Sequence, residues 1–261
     1  MLRVAAFVAL LACGGAAIWY YSTAGAPPVR LAERTPDANA WLDQLYSSNP
    51  AEADAAARQV EGLGADALPV IHAIFQDPGA SQERVKAALK ACGILGPVAA
   101  PAIGEVAEQL PDPTLTAEAA VALSFMGRGA FGPLRDALSS EDPVVRREAL
   151  RSIGKLKERA PLGAGAVLPL LIDRAKDSDP RVRAVAATYL GIIHEGGAEA
   201  VGALIESLKD PEPEVRRAAA TALGSFGADA TPAVPALRKA AGDADPDVAR
   251  EAAVALVKLR H

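Results

Sequence analysis

The sequence comprises 261 residues with a mass of 26.8 kDa, which is enough for one large domain or two small ones. Hydrophobic residues make up 51% of the chain but aromatic residues only 4%, so alanine supplies much of the apolar content and a strand-rich fold is disfavoured. The net charge of −5 argues against a nucleic-acid partner, and two cysteines with three histidines nearly exclude a disulfide framework, a zinc cluster or a haem site. We therefore expect an all-α protein of closely packed, Ala-rich helices with no cofactor and no bound metal.

The first predicted element is an apolar segment at the amino terminus. Residues 4–21 contain no charged side chain, and 18 helical residues span about 27 Å, close to the hydrocarbon thickness of a bilayer. The segment ends with Trp19, Tyr20 and Tyr21, and such rings favour the membrane interface. We interpret residues 1–23 as a transmembrane anchor or signal segment that contacts the membrane through this apolar run.

Two alternatives to a retained anchor stay open. A cleaved secretory signal would use the small residues Ala24 and Ala26, although Pro27 would then follow the cut and is unfavourable there. A lipoprotein signal would place the lipid on Cys13, which follows a Leu-Leu-Ala sequence. The next stretch, residues 24–36, is rich in proline and is typical of a short, stiff linker.

Beyond residue 36 the sequence repeats with a period near 33. The marker of each repeat is a proline that begins a short apolar stretch, with glycine in one of the six places: Pro69, Pro101, Pro133, Pro169, Gly202 and Pro235. Successive markers are 32, 32, 36, 33 and 33 residues apart. Because proline is tolerated in the first turn of a helix, each marker predicts the start of the second helix of a repeat, here called helix B.

A preceding helix, here called helix A, has its own apolar register. One position is always alanine, which would let neighbouring helices approach closely: Ala56, Ala88, Ala119, Ala149, Ala186, Ala219 and Ala252. Four residues later stands a larger apolar side chain: Val60, Cys92, Leu123, Ile153, Leu190, Leu223 and Leu256. The next residue is often glycine, which we interpret as a left-handed cap that ends helix A: Gly93, Gly154, Gly191 and Gly224.

Several A helices begin with an Asp-Pro pair and then Val-Arg, as in Asp142-Pro143 followed by Val145-Arg146. The order of these signals is Asp-Pro-x-Val-Arg, then Ala, then Leu-Gly and then a B helix that begins with proline. This pattern resembles the HEAT family, in particular the short HEAT-like repeats of phycobilisome lyases. The resemblance covers residues 37–261. It implies a right-handed α-solenoid of about six helix pairs with a terminal half-repeat at each end.

The cellular location follows from the leading segment and the composition. The Ala-rich sequence and the resemblance favour a bacterial protein, and every interpretation of residues 1–23 places the solenoid outside the cytoplasm. We expect a single span in the bacterial inner membrane with the solenoid on the periplasmic side. The alternatives are a cleaved, secreted protein or a lipoprotein attached through Cys13.

The resemblance also implies a surface for a partner, because B helices line the concave side of such a solenoid. Positions three, four and seven after each marker form a row that is acidic in the middle and basic towards the carboxyl end. The predicted partner-binding residues of this row are Glu105, Glu108, Asp136, Asp173, Glu206, Lys209, Arg238 and Lys239. We expect a non-catalytic scaffold or adaptor that binds a protein here. The alternative is an accessory factor, lyase-like or chaperone-like, that presents a substrate or cofactor to another protein.

The residues with chemical potential are scattered, so no catalytic, cofactor or metal site is predicted. Cys92 falls in the core register, and His72 is expected to be solvated on the outer face of a B helix. The single pair His194-Glu195 cannot build the di-iron site that HEAT-like deoxyhypusine hydroxylases form from several such pairs. The motif arginines, such as Arg146, are expected from the resemblance to pair with the motif aspartates between repeats.

The last A helix is predicted to run from Pro246 to Leu259. Val257 stands where four of the other A helices have glycine. Val254 and Val257 are expected to form an exposed apolar surface. Two copies of the chain are expected to be able to associate through it.

Overall fold

A computed structural model describes residues 40–160, 162 and 165–259, and these residues form helices and turns with no strand. The helices in chain order are α1 (Ala40–Gln44), α2 (Pro50–Leu63), α3 (Leu68–Phe75), α4 (Gln82–Leu95), α5 (Ile103–Ala107), α6 (Thr116–Phe125), α7 (Phe131–Ala137), α8 (Pro143–Arg159), α9 (Leu168–Arg174), α10 (Pro180–Ile193), α11 (Gly197–Ser207), α12 (Pro213–Ser225), α13 (Val234–Ala240) and α14 (Pro246–Lys258). The predicted anchor at residues 1–23 and the linker at 24–36 lie outside the described residues.

The helices stack as a repeat solenoid. The even-numbered helices from α2 to α14 are the A helices, each packed on the next, and the odd-numbered helices from α3 to α13 are the B helices. Six A–B pairs lie between α1 and the final helix α14, as the spacing of the markers predicts. All seven register alanines are fully buried, which confirms that small side chains let the A helices approach one another.

The Asp-Pro pairs cap the A helices, as the sequence predicts. Asp142 accepts a hydrogen bond from the backbone N–H of Val144 at 2.7 Å, and Asp179 accepts one from Arg181 at 2.8 Å. Each aspartate satisfies a backbone donor that has no intrahelical partner, and the following proline occupies the first helical position. Glu212, which precedes α12, makes no such side-chain bond.

The marker of the fifth repeat behaves differently from the prediction. Pro169 and Pro235 lie in the first turn of α9 and α13, but Gly202 lies in the middle of α11. Pro101 also departs from the prediction, since it lies in the 3₁₀ segment Gly96–Ala102 that precedes α5. With no proline to exclude a preceding helical turn, α11 begins five residues earlier, at Gly197. It is therefore the longest of the B helices.

The glycines that follow the apolar register do not cap the A helices, so that interpretation is wrong. Gly191 lies inside α10 and Gly224 inside α12. The left-handed residue comes three positions later, at Gly227 (φ 53°) and, after α10, at His194 (φ 52°). The helical glycines serve close packing instead, because a Cβ atom at Gly191 would lie 2.6 Å from the Cβ of Ala222 on the next A helix.

One described helical stretch, Gln82–Ala107, is long and apolar enough to cross a membrane by length and composition. It consists of α4, a 3₁₀ segment at Gly96–Ala102 and α5. Half of its most apolar window is buried inside the solenoid, where α4 packs on α6. Its apolar character therefore serves the core of the repeat.

Arginines from three successive A helices join neighbouring repeats. Each guanidinium donates two hydrogen bonds to an aspartate of the next inter-repeat turn, at 2.6–2.9 Å: Arg146 to Asp177, Arg183 to Asp210 and Arg216 to Asp243. A third nitrogen of each arginine donates to two backbone carbonyls of its own preceding turn. We call these three pairs the Arg–Asp ladder.

The structural role predicted for these arginines is confirmed, but their partners differ from the prediction. The capping aspartates Asp179 and Asp245 bind helix N-termini, and the ladder aspartate stands two residues before each of them. In α6 the ladder arginine is replaced by Thr116, which is too short to reach the next repeat. Its hydroxyl instead donates to carbonyls of its own turn, at Leu110 and Asp112.

The ladder predicts a loss of stability in acid. Burial raises the pKa of Asp177 and Asp210, but the hydrogen bonds from Arg146 and Arg183, those from the backbone N–H groups of Asp179 and Glu212 and the attraction of neighbouring arginines together outweigh it, so both pKa values are lowered. The Arg216 hydrogen bond lowers the pKa of Asp243 in the same direction. A lowered carboxyl pKa stabilises the fold above the unfolded value of about 4, and this contribution is lost as the pH falls through the folded value.

Urea denaturation at a series of pH values would measure this loss. We expect the midpoint to fall between about pH 4 and pH 2, and to fall less in an Arg146→Ala variant, which no longer has one of the three pairs. A wild-type midpoint that is unchanged down to about pH 2 would contradict the assignment.

Candidate interaction surface

The predicted partner-binding residues lie along one side of the B helices, and we call them the B-face row. Glu108, Asp136, Asp173, Glu206, Lys209, Arg238 and Lys239 are exposed. Glu105 is only partly exposed. The structure thus leaves seven of the eight predicted side chains available to a partner.

Glu105 has a different role from the rest of the row. Its carboxylate lies 2.5 Å from the Nδ1 atom of His72 and accepts a hydrogen bond from Gln76 at 3.3 Å. These contacts join α3 to the following repeat. The expectation that His72 is merely solvated is therefore wrong, and Glu105 is a link between repeats.

The acidic middle of the row is partly neutralised by basic neighbours. Asp136 pairs with Arg135 at 2.9 Å, and Asp173 pairs with Arg174. Arg174 also donates to the backbone carbonyl of Leu138 in the preceding repeat. Neither arginine was predicted, because the row was defined by fixed positions after each marker and both arginines stand at neighbouring positions in the sequence.

The two ends of the row keep unpaired charges. Glu108 near one end, and Arg238 and Lys239 at the other, make no ion pair with any residue the structure describes. Glu206 and Lys209 pair with each other at 2.7 Å and stay exposed. The row therefore presents a negative charge and a positive patch separated by several repeats, which differs from the predicted acidic middle.

A cavity of about 650 Å³ opens in the row between α9 and α11. Ile172, Ala175 and Ala203 provide its apolar surface, and Lys176 and Glu199 provide charge. Gly202 also lines it, and a Cβ atom at this position would meet no atom within 4 Å. The cavity thus lies at Gly202, the one marker position that has no proline.

The groups that line this surface are apolar side chains and single charges. Within residues 40–160, 162 and 165–259, no group of three His, Cys, Asp or Glu side chains is arranged to hold a metal ion. The cavity offers apolar contact together with the charged groups of Lys176, Glu199 and Glu206 and of the ladder pair Arg183 and Asp210. Charges placed in this way favour a partner of complementary charge and orient it.

Comparison with known sequence families shows the family of the chain. A sequence profile described as HEAT repeats matches residues 131–209 and 201–261, which together make up half of the 261-residue chain. The chain belongs to the HEAT-repeat family. No curated protein sequence matches the chain significantly.

Three solved structures are similar to the chain. YibA of E. coli aligns with a TM-score of 0.51 at 16% identity, over 86% of this chain and 92% of its own. An engineered protein aligns over 87% of this chain and 97% of its own, at 22% identity and a TM-score of 0.48. The complex of CpcE and CpcF of phycocyanin lyase from Nostoc covers 59% of this chain and 98% of that one, at 24% identity and a TM-score of 0.49.

Cys92 is a core residue of the HEAT solenoid, as predicted. It has no exposed surface, and burial raises its pKa to about 12. We expect the thiol to react with a maleimide at pH 8 at least about a hundred-fold more slowly than a free cysteine, because the thiolate is the reactive form. Peptide mapping after labelling would measure Cys92 separately from Cys13. Labelling of Cys92 at the same rate in the folded and urea-unfolded chain would contradict this placement.

His194 and Glu195 join A helices in the HEAT stack. The Nε2 atom of His194 lies 2.5 Å from the backbone carbonyl of Ser225, and its ring packs against Phe226. Glu195 pairs with Lys157 at 2.7 Å. These contacts connect the end of α10 with α8 and with the end of α12, while the second carboxylate oxygen of Glu195, Oε2, is buried without a hydrogen-bond partner among the described residues.

The last A helix, α14, exposes an apolar face. Val254 is 42% exposed and Val257 is 57% exposed. Val257 occupies the register position of Gly191 and Gly224, whose lack of a side chain lets the next A helix approach. Ala249 likewise replaces the ladder arginine. Self-association through this helix stays a prediction.

Proposed function

We propose that this HEAT-repeat protein is a non-catalytic scaffold that binds a protein partner along the B-face row and is tethered to a membrane by residues 4–21. The observation that carries the proposal is the exposed, charged B-face row together with the cavity between α9 and α11. Seven of its side chains are exposed, and the charges at its two ends have no partner in the described chain. We further propose that the protein lies in a bacterial inner membrane with the solenoid on the periplasmic side.

The charges of the row define the partner's chemistry. The carboxylate of Glu108 is complementary to a basic group at one end of the bound segment. Arg238 and Lys239 are complementary to acidic groups at its other end. The α9–α11 cavity between them accepts an apolar side chain against Ile172. Charge complementarity of this kind sets the orientation and register of a bound segment more than its affinity.

A charge-matched pair of variants tests the proposal. The B-face variant replaces Glu108, Asp136, Asp173 and Glu206 by alanine in the full-length chain. The control variant replaces Asp54, Glu141, Glu214 and Asp229, which are equally exposed and change the net charge by the same amount. Glu105 is left intact in both because it joins two repeats.

Recovery of the tagged proteins from detergent-solubilised membranes of the native host gives the readout. We expect one stoichiometric partner to be lost with the B-face variant and retained with the control and the wild type. Equal recovery of the same proteins with all three would refute binding through the B-face row. Circular dichroism of each variant verifies that the helices remain folded.

The α9–α11 cavity also favours a second candidate, an accessory factor that presents a substrate or cofactor to another protein. Its volume of about 650 Å³ is in the range of small-molecule sites. Native mass spectrometry and absorbance spectroscopy of the protein purified from its host distinguish the two. A bound small molecule that is lost on Gly202→Leu substitution would favour the accessory role, and a protein partner alone would favour the scaffold.

A further inference from the structure

A second surface lies on the opposite helices, where α4 and α6 form an apolar groove that we call the A-face groove. It has a volume of about 610 Å³ and is lined by Tyr46, Ile94, Val121 and Phe125. Tyr46, Val121 and Phe125 are each 40–44% exposed, which is unusual for large apolar side chains gathered at one site. The groove is distinct from the B-face row.

The repeat itself does not explain this patch. The outward positions of an A helix stand two and six residues after the register alanine. From α4 to α14 they are Lys90 and Ile94, Val121 and Phe125, Arg151 and Lys155, Thr188 and Ile192, Thr221 and Ser225, and Val254 and Lys258. Only α6 is apolar at both positions among the A helices. Its exposed Val121 and Phe125 therefore point to something that covers this place.

The chain already covers the surface beside the groove. The short helix α1 packs on both α2 and α4, and its segment buries Trp41, Leu42 and Leu45 completely or nearly so. Lys90 of α4 donates to the Leu45 carbonyl at 2.5 Å and lies 4.7 Å from the ring centre of Tyr46. The A-face groove begins at Tyr46 and thus continues the interface that α1 makes.

The charged residues that line the groove indicate the charge of its occupant. Glu61 and Glu118 line it and pair with no described residue. Lys90 is held by the Leu45 carbonyl, and Arg159 lies 4.1 Å from the ring centre of Phe125 at another edge. An occupant with apolar side chains and basic groups near Glu61 and Glu118 is complementary to this lining.

We propose that residues 29–34 of the same chain bind in the A-face groove. This segment reads Val-Arg-Leu-Ala-Glu-Arg, so Val29 and Leu31 supply the apolar contact and Arg30 and Arg34 the basic groups. It follows every processing point considered above, so it is retained whether the leading segment is anchored, cleaved or lipidated. Binding here sets the orientation of the solenoid relative to whatever holds residues 1–23.

The reach of the chain permits this contact. Val29 lies 11 residues before Ala40, where α1 begins, and an extended chain of that length spans up to about 36 Å. Helix α1 is only about 7 Å long, and the groove starts at its far end. Because the segment is tethered, its effective concentration is in the millimolar range and a weak intrinsic affinity suffices.

Site-specific photo-crosslinking of the full-length protein in detergent tests the proposal. The photoreactive residue p-benzoylphenylalanine replaces Phe125, and the control places it at Ser225, the same register position on α12. We expect an intramolecular adduct from position 125 that maps to residues 29–34, and no such adduct from position 225. Charge reversal by Glu61→Lys and Glu118→Lys should lower the adduct yield by roughly three- to ten-fold, as expected for two exposed ion pairs.

Restoring the complementary charges provides the decisive control. Adding Arg30→Glu and Arg34→Glu to the charge-reversed variant should recover the adduct, since the apolar contacts are unchanged. An adduct to a second copy, to another protein or to a different segment of the chain would overturn the proposal. Absence of any adduct from position 125 would overturn it as well. None of these outcomes bears on the B-face row, because no substituted residue belongs to it.

Discussion

Replacing Arg146 by alanine is expected to lower the free energy of unfolding by about 2–3 kcal/mol, somewhat less than the usual cost of removing one partner of a buried ion pair. The Asp177 side chain is only 3% exposed and would lose both of its bonds to the guanidinium, keeping those from Arg174 at 3.2 Å and from the backbone N–H of Asp179. The backbone carbonyls of Ser140 and Glu141 would lose their donor at the same time. Urea denaturation at pH 7 followed by circular dichroism measures the change.

Arg135→Ala is the matched control for this prediction. Its pair with Asp136 has the same chemistry, but the two side chains are 54% and 70% exposed, so we expect a loss below about 1 kcal/mol. Arg146→Lys should restore little of the lost stability, because lysine cannot bind Asp177 and both carbonyls with one planar group. Equal losses for Arg146→Ala and Arg135→Ala would show that the Arg–Asp ladder does not hold the repeats together.

The second large effect is expected from Gly191→Ala, which should destabilise the protein by about 1–3 kcal/mol even though alanine favours a helix by about 1 kcal/mol over glycine. The new Cβ atom would lie 2.6 Å from the Cβ and 2.7 Å from the Cα of Ala222. Helices α10 and α12 would have to separate, because a backbone atom cannot rotate out of the way.

Gly93→Ala provides a control at the same register position. A Cβ atom there would lie 3.7 Å from the Cα of Ala122, which is an ordinary contact. We expect this variant to be neutral or stabilised by up to about 1 kcal/mol through helix propensity. The melting temperature should therefore fall for Gly191→Ala and stay unchanged or rise for Gly93→Ala, and equal falls in the two variants would refute the close-packing role of Gly191.

Much of the fold was predictable because each repeat carries the same local signals. Proline in the first turn of helix B, an aspartate at the start of helix A and alanine at one buried position act within a few residues of one another. Each can therefore be identified without knowing the rest of the molecule. Where a local signal was ambiguous the prediction was wrong, as at Gly191, since a glycine near the end of a helix suits both a cap and a close contact.

The interaction surfaces were less predictable because they depend on which residues of different repeats meet. The position of Asp136 on the B face was predicted, but its neutralisation by Arg135 was not. The link between His72 and Glu105 joins residues 33 positions apart and leaves no trace in the sequence around either one. The A-face groove was missed entirely, because it arises where α1 ends beside α4 and α6.

The sequence by itself determined the helices, their order and their apolar faces, since periodicity and capping act over one helical turn. The tertiary structure alone decided the partner of each ladder arginine, the depth at which each glycine packs and the two open surfaces. Those features depend on the distance and rotation between successive helices. These are set by the combined packing of the whole stack, where the addition of one methyl group at Gly191 changes the separation of two helices.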